Sequence, residues 1–227
     1  MTLSENLENV RRSIGEAARR AGRSAGDVTL VAVTKTWPAD VVLEAIGAGV
    51  TDLGENRAQE FKEKVTILGD RARWHFIGHL QTNKVRNVVG SCVLIHSVDR
   101  LGLAESIARR ATAADEEQAV LIEVNVARDP NKHGVEPARA VALALEIEKL
   151  EGVRVGGLMT MPPYPEDPEQ SRPHYKELAA LSAQLVAELP GAGSLSMGMS
   201  RDFEVAIEEG ATIVRVGTAI FGSRAGR

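Results

Sequence analysis

Apolar positions recur at helical spacing through Leu3, Leu7, Val10, Ile14, Ala17 and Ala21, which predicts an amphipathic N-terminal helix stopped near Gly22. After it the period changes. Short aliphatic or β-branched runs cover residues 28–34, 51–53, 74–77, 92–96, 120–126, 153–160, 194–197 and 212–216. These are eight candidate strands, each but the last followed by a helical pattern. Runs such as Leu121-Ile122-Glu123-Val124-Asn125-Val126 are mostly apolar rather than alternating, as expected of parallel strands covered by helices on their outer face. The first helix after a strand is expected to open at Pro38, a favoured first-turn residue. Eight βα units predict a single (β/α)8 TIM-type barrel with an extra N-terminal helix, the whole of residues 1–227 forming one domain. An open doubly wound sheet is the other arrangement of the same rhythm. Gly156-Gly157 inside the sixth run points to a bulge or a close backbone approach.

Composition narrows the class. The 227 residues are 44% hydrophobic and only 4% aromatic, so aliphatic side chains must fill the core. A net charge of −4 argues against a nucleic-acid partner. No apolar run approaches the roughly 18 residues of a membrane helix, and the N-terminus has no basic and apolar leader pattern. The expectation is a cytoplasmic, monomeric protein with no membrane partner. The single cysteine, Cys92, excludes an intrachain disulfide and reads as a structural thiol in an apolar run.

In a barrel of this kind the chemistry gathers at the C-terminal ends of the strands. Lys35 closes the first run and shares a face with Val31 and Val33, so an inward Val33 brings Lys35 inward too. A lysine at such a mouth can attack an aldehyde to form an imine, although a strand-end lysine can equally snorkel to solvent. Arg215 interrupts the last apolar run, and closure would set it on the strand beside the first. A cation there needs partners, or else it faces outward over a covering helix. Gly198-Met199-Ser200 before the helix pattern at 202–209, and Gly217-Thr218-Ala219 after Arg215, occupy the loops that frequently hold phosphate in barrels. Asn56 after the second strand and His79 after the third are polar strand-end residues, suited to ligand contact or to simple capping. The five histidines lack the HExxH spacing and one cysteine cannot build a thiolate zinc site, so no metal centre is expected.

The blocks Ala32-Val33-Thr34-Lys35, Gly54-Glu55-Asn56-Arg57-Ala58-Gln59-Glu60, Trp74-His75-Phe76-Ile77-Gly78-His79-Leu80-Gln81-Thr82-Asn83-Lys84, Leu195-Ser196-Met197-Gly198-Met199-Ser200-Arg201-Asp202 and Val214-Arg215-Val216-Gly217-Thr218-Ala219 stand in order along the chain. Together they resemble the pyridoxal phosphate homeostasis protein family, a branch of the fold-type III, alanine-racemase-like barrels. The resemblance implies pyridoxal 5′-phosphate (PLP) as cofactor, bound as a Schiff base on Lys35. It implies Arg215 against the pyridine nitrogen, Ser200, Gly217 and Thr218 around the phosphate, and Asn56, His79 and Met199 as pocket neighbours. It further implies a role in vitamin B6 homeostasis, buffering or delivering PLP, with cofactor-free PLP enzymes as the recipients of a delivery role and no efficient catalysis. The alternative is an amino-acid racemase of the same fold. That chemistry needs a second acid/base, which the racemases take from a separate C-terminal domain, and no such domain is expected here. Here only Tyr164 and Tyr175 could substitute, and Tyr175 is expected on the outer ring of helices.

Overall fold

The computed structural model describes residues 2–222. Eight parallel strands close into a barrel in sequence order: β1 (Thr29–Val33), β2 (Asp52–Glu55), β3 (Arg73–Phe76), β4 (Leu94–Val98), β5 (Gln118–Glu123), β6 (Val153–Met159), β7 (Ser194–Ser196) and β8 (Ile213–Val216). The outer ring comprises α2 (Ala39–Gly47), α3 (Ala58–Leu68), α4 (Leu101–Thr112), α5 (Pro137–Ile147), α6 (Arg172–Glu188), α7 (Phe203–Glu208) and α8 (Thr218–Phe221), preceded by α1 (Leu3–Arg20). This is the (β/α)8 barrel with an extra N-terminal helix that the hydrophobic rhythm predicts. The one irregular unit follows β3, where a 3-10 turn over Thr82–Asn87 stands in place of an α-helix.

Local chemistry sets the ends of α1. Thr2 and Glu5 form a capping box, and Gly22, two residues past the last helical residue, takes the left-handed φ of +68° that ends the run. Its apolar stripe of Leu7, Val10, Ile14, Ala17 and Ala18 is buried against α7 and α8, beside the seam where β8 meets β1. Arg20 adds ion pairs to Glu204 and Glu208, and Asn6 Nδ2 donates to the Ile220 carbonyl at 2.9 Å. Pro38 proves to be the residue before α2, its fixed φ starting the chain into the helix at Ala39.

Strand parity decides which side chains fill the barrel. Val31, Leu121, Met159 and Ile213, with Leu94 beside them, form an apolar plug inside it, while the opposite parity packs under the helices. At Gly157 the β5–β6 register slips by one residue. Gly157 has φ +145°, and a Cβ there would lie 2.0 Å from the Ser194 carbonyl oxygen, so only glycine fits this bulge.

Candidate functional site

The inward parity of β1 continues one step past the strand. Thr34 is buried, Lys35 is half-buried, and Thr36 turns the chain with φ +67°, a conformation costly for a β-branched residue. Both flanks of Lys35 are tied down. The Thr34 hydroxyl donates to Glu55 Oε1 at 2.6 Å, and Lys64 Nζ donates to the Thr34 carbonyl at 2.7 Å while pairing with Glu55. The Thr36 amide donates to Glu60 Oε2 at 2.8 Å. The strained turn after Lys35 is thereby held from β2 and α3.

Arg215 faces inward, not toward the covering helices. β1 and β8 pair with Val31 opposite Arg215, so Arg215 roots four residues deeper than Lys35. Its guanidinium donates to Ser196 Oγ at 2.5 Å and to the Thr160 carbonyl at 2.8 Å, at the C-terminal end of β6. Burial pulls its pKa down from the ordinary guanidinium value, yet a guanidinium keeps its charge and can only donate.

The loops after β7 and β8 meet through one hydroxyl. Ser200 Oγ accepts from the amides of Gly217 and Ala219, both at 3.2 Å. Gly198 permits this loop, since a Cβ on it would lie 2.6 Å from the Ala206 Cβ. Asp202 caps the loop from the other side, its Oδ1 accepting from the Met199 amide at 2.8 Å. Ser171 and Tyr175 both donate to Asp202 Oδ2 at 2.7 Å, so Tyr175 lies on the outer ring but is turned inward and buried. Thr218 is exposed at the rim. Across the mouth, a Cβ on Gly78 would lie 2.2 Å from the Asn56 carbonyl oxygen, so the loops carrying Asn56 and His79 run in contact. Exposed His79 stacks on His133 with centroids 3.7 Å apart and planes 12° from parallel. Asp99 lies near enough that ligand atoms of all three fall within 4.8 Å. Near-parallel stacking, however, aims the in-plane lone pairs of the imidazoles side by side instead of at one ion.

Comparison with known proteins places this geometry. The chain matches the alanine racemase N-terminal domain family over residues 6–225. It is 49% identical over 226 residues to the pyridoxal phosphate homeostasis protein of Aquifex aeolicus, covering 99% of each chain. The chain belongs to the pyridoxal phosphate homeostasis protein family. A solved member, PipY of Synechococcus elongatus with PLP bound, is 33% identical with a TM-score of 0.82 over 97% of this chain and 100% of that one. The alanine racemase of Clostridium difficile complexed with cycloserine shares the fold alone, at 18% identity and a TM-score of 0.70, with 60% of its length covered.

The homeostasis-family barrel also contains buried polar groups that the strand pattern did not single out. Asp52 Oδ1 lies 2.9 Å from His75 Nε2, and His75 Nδ1 lies 2.9 Å from His96 Nε2. His96 Nδ1 lies 2.8 Å from Ser196 Oγ, the group that receives Arg215. All five side chains are buried. Glu123, one inward step above Leu121, is also buried, and its Oε2 has no hydrogen-bond partner among the described residues. Burial pushes Glu123 up to about 7, with Asp99 adding to the rise and Arg215 opposing it. One signal could have found these groups: each is a polar residue at inward parity in a strand, and His75, His96 and Glu123 have apolar neighbours on either side or nearby, as Arg215 does. Cys92 is half-buried, and burial around its sulfur pushes the thiol up to about 12, away from the reactive thiolate.

Proposed function

We propose that this chain binds PLP at the C-terminal mouth of the barrel, held as a Schiff base on Lys35, and serves to buffer or hand on the cofactor. The observation that carries the reading is the arrangement around the mouth. Lys35, two residues past β1 and flanked by the clamped Thr34 and Thr36, lies above a buried, donor-only Arg215 on the adjoining β8, beside a loop pair knitted through Ser200. The donor set fits the group. The amides of Gly217 and Ala219 with the hydroxyls of Ser200 and Thr218 suit a phosphate, and Arg215 suits an unprotonated ring nitrogen. Asn56, Met199 and His79 complete the rim. PLP supplies an electron sink when its ring nitrogen is protonated. Arg215 can only donate to that nitrogen, which keeps it unprotonated and weakens the sink.

The same residues weigh against racemase activity. Tyr175 is committed to Asp202, and Tyr164 is exposed on the loop after β6, with the Arg201 guanidinium 4.6 Å from its ring centre. Neither is held as a second acid/base over Lys35. The homeostasis name of the relatives and the PLP in PipY support the same reading. No helix of the described residues is long and apolar enough to cross a membrane. A transfer assay tests the proposal. PLP-loaded protein mixed with a cofactor-free PLP enzyme should restore its activity at a rate that differs from that of the same concentration of free PLP. Failure of the protein to take up PLP at all overturns it.

A further inference from the structure

The contacts from Asp52 to Arg215 admit two proton orders. Arg215 is a donor, so Ser196 Oγ accepts from it. In the first order Ser196 spends its one proton on His96 Nδ1, which leaves His96 protonated at Nε2 and donating to His75 Nδ1. His75 is in turn protonated at Nε2 and donates to Asp52 Oδ1. The carboxylate end fixes only the last bond, because Asp52 accepts and His75 Nε2 must donate to it. In the second order, Ser196 Oγ accepts from His96 Nδ1 as well as from Arg215, and a charged His75 donates to both His96 Nε2 and Asp52. In the first order both imidazoles are neutral Nε2–H tautomers, and a further proton on His75 would turn two N–H groups toward each other.

We propose that Asp52, His75, His96 and Ser196 form one relay in the first of these proton orders that positions Arg215, so that a carboxylate near the opposite mouth of the barrel governs the guanidinium facing the cofactor ring. The inference rests on the reading of Arg215 as the ring-nitrogen partner and assigns positioning roles to four residues that do not touch the cofactor. The electrostatics agree. Burial, with His75 and Arg215 beside it, drives His96 well below the ordinary imidazole value and keeps it neutral. Burial alone would raise Asp52, but the bonds from His75, Arg73 and Thr51 outweigh it and bring the carboxyl down to about 2. The relay runs from the inner end of β2 through β3, β4 and β7 to β8. At its outer end Asp52 Oδ2 accepts from exposed Arg73 at 2.8 Å, beside a cavity of about 310 Å³ whose lining includes Thr29, His75 and Ser194. With Ser196 and the Thr160 carbonyl each taking one N–H, the guanidinium keeps its remaining donors for the mouth.

Two measurements test this. In the cofactor-free protein, nitrogen-15 NMR should report His75 and His96 as neutral Nε2–H tautomers; an imidazolium or an Nδ1–H tautomer at either ring overturns the proton order. In the PLP-loaded protein, Arg215→Gln should shift the absorbance band of the bound cofactor and weaken PLP binding about tenfold or more, the usual effect of losing a hydrogen bond to a charged group. Ser196→Ala and Asp52→Asn should move both readouts in the same direction, while Ser196→Thr, which keeps the hydroxyl, should restore them. If Asp52→Asn does not fold, the Ser196 pair carries the comparison. A response to Arg215→Gln with none to Ser196→Ala refutes the relay. No response to Arg215→Gln itself refutes the assignment of Arg215, and the proposal with it.

Discussion

Glu123 shows how burial changes one residue's chemistry. Its ordinary value of 4.5 rises to about 7 in the folded chain, chiefly because burial penalises the charged form. Between those values the folded state holds a proton that the unfolded chain has released. Stability of the cofactor-free protein should therefore fall as pH rises from about 4.5 to about 7, by about 3 kcal/mol from this group. Glu123→Gln should remove that slope and leave the variant more stable than the parent above pH 7. Urea denaturation across this range checks it, and an unchanged slope would count against a buried, unpaired Glu123. Asp52, held near 2, acts in a separate window, its contribution being lost only as pH falls from about 4 toward 2. Lys35 and Arg215 were legible in the sequence because each is a cation ending or breaking an apolar run. Asp52, His75, His96 and Ser196 are also interruptions, but weak ones on four strands. Only barrel closure joins them, through contacts between residues up to 100 positions apart.

At the scale of elements, the loops after β7 and β8 act as one unit through Ser200. The hydroxyl that would otherwise cap a helix instead bridges Gly217 and Ala219, a role invisible from the local sequence because both partners lie beyond the next strand, at the start of α8. Ser200→Ala combined with Thr218→Val should weaken PLP binding by about 1–3 kcal/mol, and pyridoxal lacking the phosphate should bind the parent poorly. Fluorescence titration with the two ligands is the check; equal affinity for both would remove the phosphate cup. The strand pattern placed all eight strands, with ends displaced by a few residues. The run at 92–96 became Leu94–Val98, and the one at 120–126 became Gln118–Glu123. Apolar continuity marks a buried strand but not its hydrogen-bonded ends. The 3-10 turn after β3 has no sequence signal as clear as the glycine pair that marks the β6 bulge.

For the whole molecule, the fold joins two devices on opposite sides of the β1–β8 seam. A clamp of Glu55 on β2 with Glu60 and Lys64 on α3 holds the turn that follows Lys35. The interior polar chain fixes Arg215 from below. On the proposed reading, such a barrel would hold PLP in a defined pose, and neither Tyr164 nor Tyr175 is placed as a second acid/base, which suits storage or transfer better than turnover. The central claim is the covalent attachment at Lys35. Borohydride reduction of the PLP-loaded protein followed by peptide mapping tests it most directly. The account predicts a single pyridoxyl adduct on Lys35 that disappears in Lys35→Ala; an adduct on Lys84, Lys132 or another lysine in place of Lys35 would contradict it.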